Sequence, residues 1–154
     1  MLGRATTAAM ILLATASVAE AVTEWRGGTV ILTLTPQCSQ EGFIKGDYFN
    51  TRYRHANVGG ANDETRMVFL QRFSGMGIVA ECVIGKEFEE VQAGYVGSTV
   101  YFDDLGVQVR FTSIAPAKID KNTGALVIEG DSRTFGGIKG CDVRFRSTLG
   151  LMAE

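Results

Sequence analysis

The sequence predicts an all-β protein: a small antiparallel β-barrel of about eight strands whose first and last strands pair, or a closely related β-sandwich, behind a cleaved N-terminal signal peptide. Glycine outnumbers proline 19 to 2, and the glycines separate runs rich in β-branched and aromatic residues, the punctuation of short strands. Within those runs the side chains alternate. From Cys141 onward, Val143, Phe145 and Leu149 fall on one side and Asp142, Arg144, Arg146 and Thr148 on the other, which is the period of a strand buried on one face. The third observation is the placing of two cysteines, Cys38 just past the first such run and Cys141 at the head of the last.

Taken from the N-terminus, Met1 to Arg4 carries one positive charge, residues 8–14 are apolar, and Ser17, Val18 and Ala19 offer small residues at the alternate positions a signal peptidase reads. The apolar run is shorter than the roughly 20 residues of a membrane-spanning helix. Residues 1–19 are therefore expected to be removed, with Ala21 almost as good a cleavage point, and residues 20–154 to fold as one barrel domain. Cys38 lies well beyond either point, so no cysteine is placed for a lipid anchor. The mature chain is expected to be soluble, periplasmic or secreted, with no membrane span.

Strands are expected near residues 28–35, 48–56, 66–73, 76–84, 98–102, 106–114, 125–131 and 141–149. Ser74-Gly75, the stretch 103–106 and the stretch 121–124 look like hairpin turns, since glycine accepts the positive φ that such turns need. Only residues 86–93, Lys-Glu-Phe-Glu-Glu-Val-Gln-Ala, suggest a helix, a short one that reads equally well as a crossing loop. No repeat, linker or low-complexity tract interrupts the series.

The faces of the strands supply the core. Val30, Leu32 and Leu34 are expected inside from the first strand, Val107, Val109 and Phe111 from the sixth, and Val143, Phe145 and Leu149 from the last; Thr29, Thr33, Gln108 and Arg110 are expected outside. Closing an even number of antiparallel strands makes the first and last neighbours and removes the exposed edges. That pairing carries Cys38 and Cys141 to one rim and predicts a Cys38–Cys141 disulfide across the seam. In residues 76–84 the apolar face runs through Cys82, which is expected in the core as a small hydrophobe; the alternative pairing is Cys38 with Cys82.

The formal net charge of −2 and the interspersed acids and bases argue against nucleic acid and against an anionic membrane surface as partners. One histidine, three cysteines and no Cys-x-x-Cys spacing make no metal site, and no motif for a cofactor or for a nucleophile is present. The expectation is a non-catalytic chain. "YFNTRYRHA" (48–56) is the least ordinary strand, with Phe49, Thr51, Tyr53 and His55 on one face. If that face points inward, it offers stacking and hydrogen bonding to a small ligand; otherwise its polar atoms are satisfied within the core. Arg52 and Arg54 stand opposite. The leading expectation for function is an interaction or structural module of a bacterial-type envelope, its partner another macromolecule, because small barrels are normally filled by their own side chains. The alternatives are a lipocalin-like binder of a small molecule in the barrel interior, and a small outer-membrane barrel, whose strands show the same alternation turned inside out.

Overall fold

The computed structural model describes residues 23–58, 64–71, 74–80, 87–96 and 105–152. The expected signal segment, Cys82 and the strand expected at 98–102 lie outside the described residues. Within them the chain is all-β apart from one short helix and a 3-10 turn: β1 (Trp25–Leu34), α1 (Pro36–Gln40), β2 (Tyr48–Arg54), β3 (Thr65–Gln71), β4 (Ser74–Ala80), β5 (Glu89–Glu90), β6 (Gln92–Val96), β7 (Gln108–Ala115), β8 (Ala125–Arg133), the turn Phe135–Gly137 and β9 (Val143–Leu151).

All pairings are antiparallel, in the order β5-β7-β8-β9-β1-β2-β3-β4-β6, and the sheet curls into a nearly closed barrel. Its first and last long strands, β1 and β9, are neighbours, as the closure argument requires. Closure at the other side is made by one short stretch of chain. Glu89 and Glu90 pair with β7, the Val91 N–H donates to the Val107 carbonyl at 3.0 Å, and Gln92 to Val96 then pair with β4. β5 and β6 thus act as a single strand that passes from one sheet edge to the other; they come in addition to the seven expected strands that fall on described residues, which makes nine. The expected helix over 86–93 is not formed in its described part. A charged, helix-compatible sequence is held extended because two open sheet edges compete for its backbone, and tertiary pairing outweighs local propensity. Phe88, just before β5, is clasped by the guanidinium groups of Arg133 and Arg110, 3.9 and 4.7 Å above its ring, which fastens the closing stretch to β7 and β8.

The inward faces alternate as strands must. Val107, Val109 and Phe111 of β7 and Val143, Phe145 and Leu149 of β9 are buried, as expected. The face assigned to β1 is corrected: Trp25, Thr29 and Ile31 point inward, while Val30 and Leu32 are only partly covered on the other side. Two physical causes combine. The strand begins at Trp25, whose large apolar side chain sets the parity, and an extra residue between Ile31 and Thr33 in the register against β9 shifts the phase, so that Leu34 packs against the core after all. β7 carries a similar irregularity between Phe111 and Ser113, beyond which Ile114 takes the inward place. Such bulges bend strands and help a sheet to close.

Thr29 tolerates burial because its hydroxyl is 2.6 Å from both Thr51 Oγ1 and Ser147 Oγ, inward residues of the strands on either side. A buried hydroxyl without partners would cost about 1–3 kcal/mol; here each partner satisfies the next. Gly130 makes room for Phe145, since a Cβ there would fall 2.6 Å from the Phe145 ring and 2.9 Å from the Arg110 carbonyl. Turn positions also shift. Ser74 and Gly75 lie inside β4, paired with Gln71 and Leu70, and so are strand residues and not the expected turn. The 121–124 turn is closed without a positive glycine φ: Thr123 N–H donates to the Asp120 carbonyl at 3.0 Å, and side chains reinforce it, with Asn122 N–H donating to Asp120 Oδ1 at 2.8 Å and Asp120 N–H to Thr123 Oγ1 at 3.0 Å.

Cys38, in α1, and Cys141, just ahead of β9, form the disulfide, with Cα atoms 4.6 Å apart. One hydroxyl supports it: Thr35 Oγ1 donates to the Gly140 carbonyl at 2.7 Å and accepts from Asp142 N–H at 2.9 Å. α1 is thereby fixed across one end of the barrel.

Candidate functional site

β2 carries the distinctive face through the length of the barrel. Phe49, Thr51 and Tyr53 point inward and are buried, and His55 lies half-buried at the far rim. Their surroundings differ. Phe49 sits at the disulfide end among other aromatic rings. Thr51 belongs to the hydroxyl chain in the middle. Tyr53 is sealed at the opposite end, its hydroxyl 2.8 Å from His55 Nδ1 and its ring 6.2 Å from that of Trp25. The Trp25 indole N–H donates to the Thr123 carbonyl at 2.7 Å, so this end is closed by large side chains whose polar atoms are satisfied.

The disulfide end is built differently. A cavity of about 220 Å³ opens there, walled by Phe43, Phe49, Phe69, Phe135, Met76 and Ile138, with Gly75 and Gly136 on its walls and Glu41 and Gln71 at its polar side. Phe135 is the centre of the wall: its ring lies 5.5 Å from that of Phe43 at 72°, 5.9 Å from Phe49 at 75° and 6.1 Å from Phe69 at 63°. These are edge-to-face contacts, in which each ring presents its positive rim to the negative face of a neighbour. Backbone conformation puts Phe135 there. Thr134 (φ 55), Gly136 (φ 64) and Gly137 (φ 76) all take left-handed values, turning the chain sharply enough to aim the ring into the barrel end, while Phe135 N–H donates to the Cys141 carbonyl at 2.8 Å. Glycine bears such φ values without the strain of a Cβ. Gly136 N–H also donates to Met76 Sδ at 3.2 Å, tying the turn to β4.

Outside the barrel the surface is charged. Arg52, Arg66, Arg144 and Arg146 are exposed on the outward faces, the last two beside Glu129 at 4.0 and 3.5 Å. Glu24, at the Trp25 end, accepts from Arg26 at 2.5 Å and from Arg54 at 3.0 Å. Burial pushes its carboxyl up, but the two guanidinium groups outweigh that and hold it below the usual carboxylate range. Arg54 is thus an ion-pair partner of Glu24. Burial lowers the basicity of His55, so its neutral form is the favoured one. No helix among the described residues is long and apolar enough to cross a membrane, and no group of three or more His, Cys, Asp or Glu is gathered as a metal would need among them.

Compared with protein-family models, curated proteins and solved structures, the chain matches none.

Of the residues singled out from sequence, β2 brings Phe49 alone to the open recess, and Tyr53 and His55 to each other at the other end. Sequence reasoning missed Phe43 and Phe135, which stand in loops and carry no strand alternation. A signal for them was nonetheless present. A Cys38–Cys141 bridge brings residues near 38 and near 141 together, and each of those segments contains a phenylalanine, at 43 and at 135.

Proposed function

We propose that this chain is an exported, non-catalytic binding module of a cell envelope, periplasmic or secreted, which receives its ligand at the disulfide end of the barrel and not in its bore. The observation that carries this reading is the contrast in filling. Trp25, Tyr53, Met67, Leu126, Ile128 and Phe145 are withdrawn from solvent within the barrel, as in small barrels packed by their own side chains, whereas the recess beside Phe135 stands open. The disulfide supports an oxidising compartment. Outward arginines support an aqueous surround, because each would cost roughly 2–4 kcal/mol facing the middle of a bilayer, and this weighs against the outer-membrane alternative. His55 Nδ1 engages the Tyr53 hydroxyl, the position that an orienting carboxylate holds in a hydrolytic triad, which supports a non-catalytic role.

A second reading, contact with an envelope macromolecule through the outer wall, rests on a different feature. Tyr48 is 55% exposed and lies across Gly28, where a Cβ would fall 2.2 Å from its ring; beside it Val30 and Leu32 line the same shallow groove with Arg146.

Export from a bacterial host followed by native mass spectrometry tests the first reading. The expected product begins after Ala19 or Ala21, contains the Cys38–Cys141 bridge, and carries no lipophile through purification. A stoichiometric ligand whose binding protects the strand centres around Thr29, Thr51 and Ser147 would make the bore the site and overturn it, and full-length protein confined to the cytoplasm would overturn the compartment. Tyr48→Ser separates the second reading: loss of co-sedimentation with envelope fractions, with the fold unchanged, moves the function to the outer wall.

A further inference from the structure

The recess at the disulfide end has a chemical bias that its apolar walls alone do not show, and the following rests on the reading of that end as the binding surface. Its walls are four phenylalanine rings, Met76 and Ile138, and the one ionisable side chain among its described lining is a carboxylate, Glu41. We propose that the recess takes a small organic ammonium: an apolar ring or short chain seated against the phenylalanines, with a positive charge left at the Glu41 side.

Size limits the apolar part. An engineered apolar cavity of about 150 Å³ holds one benzene, so a cavity of about 220 Å³ accommodates a single ring with a short substituent, and not a fatty acyl chain. Charge selects the head. A carboxylate-bearing ligand would bring like charge to Glu41, whereas an ammonium is attracted both by that carboxylate and by the negative faces of the surrounding rings. The two effects act in the same direction. The rings are also held for binding before a ligand arrives: Phe135 is fixed by its left-handed neighbours and by its bond to Cys141, and Phe43 by its N–H to the Cys38 carbonyl at 3.1 Å, so little ordering remains to oppose binding. Glu41 is itself exposed at the end of α1, within reach of water, which makes the charge preference modest and sensitive to salt.

Three probes of nearly equal shape isolate the charge: 2-phenylethylamine, 2-phenylethanol and phenylacetate, each titrated at pH 7 and low ionic strength into the oxidised, ¹⁵N-labelled exported protein. The expected result is a set of amide shifts centred on Phe43, Phe135, Gly136 and Ile138, with the amine binding about 3- to 10-fold more tightly than phenylacetate, and the alcohol between them. Glu41→Gln, an exposed substitution that leaves the walls intact, is expected to bring the amine and phenylacetate to within about 2-fold of each other, as is high salt. A preference that persists in Glu41→Gln would trace to the overall negative charge of the protein and overturn the assignment. Equal affinity of all three probes at the recess would overturn the ammonium class while keeping this end as the binding surface. Shifts elsewhere, or none, would remove the ammonium site and the binding surface together.

Discussion

The two ends of the barrel solve the same problem with different materials. At one end Trp25, Tyr53 and His55 fill the opening, and each polar atom named on them has a neighbour: the indole N–H on Thr123, the Tyr53 hydroxyl on His55. At the other a disulfide, a five-residue helix and a left-handed turn hold aromatic rings around a space that they do not fill. Packing closes the first end and backbone geometry props open the second. An opening is costly to keep, because its lining forfeits contacts that filling would supply; covalent and turn constraints hold the walls in place here. That difference is the physical reason to look for function at the disulfide end and for stability at the Trp25 end.

The sharpest way to break the comparison is to truncate one large ring at each end. Trp25 is completely buried, so Trp25→Ala is expected to cost about 3–5 kcal/mol, measured by urea denaturation of the oxidised protein. Phe43 is only partly buried, and Phe43→Ala is expected to cost about 1 kcal/mol, since it enlarges an opening instead of creating a sealed cavity. Equal costs at the two ends would mean that the recess is ordinary core and that the contrast is illusory.

Next in size is the bridge. Cys38 and Cys141 are separated by 103 residues, and removing a disulfide that closes so long a loop is expected to lower stability by about 2–5 kcal/mol. The diagnostic part is where the loss is felt. Cys141→Ser is expected to raise hydrogen exchange first at Phe43, Phe135 and Gly136, leaving Tyr53 and Leu126 protected until global unfolding. Uniform loosening of both ends would show that the bridge stabilises only by restricting the unfolded chain.

How legible these features are in the sequence also differs between regions. β9 can be read directly, because its alternation runs unbroken from Val143 to Leu149 and every inward residue but Ser147 is apolar. The bridge follows from closure of the sheet and needs no detail of side chains. β1 defeats the same method: Thr29 is buried because its partners, Thr51 and Ser147, stand on other strands, and the irregularity after Ile31 reverses the phase partway along. One strand's pattern holds neither fact. The closing stretch at residues 89–96 was obscured by charges that suit a helix, since its conformation is dictated by the two edges it joins. At the recess, Phe49 is legible as an inward strand residue, while Phe43 and Phe135 arrive from loops by way of the disulfide.

Charge provides finer tests of the closed end. Glu24 lies beside Trp25 and is held ionised by Arg26 and Arg54. Its carboxyl is lowered in the folded state, so the stability it contributes is present above the unfolded carboxylate value and is lost as pH falls through the folded one. Both arginines are well exposed to water, and Glu24→Gln is accordingly expected to cost only about 0.5–1 kcal/mol at pH 7. The variant is expected to lose part of the acid sensitivity below about pH 4.5. A wild-type acid profile unchanged in Glu24→Gln would show that the ion pairs do not stabilise this end.

The smallest effect belongs to His55. Burial disfavours its charged form, so in the folded protein it titrates below the ordinary value of about 6.5. The sign follows from proton counting. Between the unfolded value and the lowered folded one, the unfolded chain binds more protons, and protonation pulls the equilibrium toward unfolding. Stability from this source is therefore complete above about pH 6.5 and declines as pH falls through the folded value. Only the Trp25 end is expected to respond, because the histidine ring meets Tyr53 there, and the chain has no other histidine. A histidine C2-proton titration followed by NMR gives the value directly, and the resonances of Tyr53 and Trp25 are expected to move with the same midpoint while those of Phe43 and Phe135 stay still. Movement of the recess rings with that midpoint would couple the two ends through the filled bore, and a midpoint above 6.5 would show that the imidazole is held charged and that burial is not what governs it.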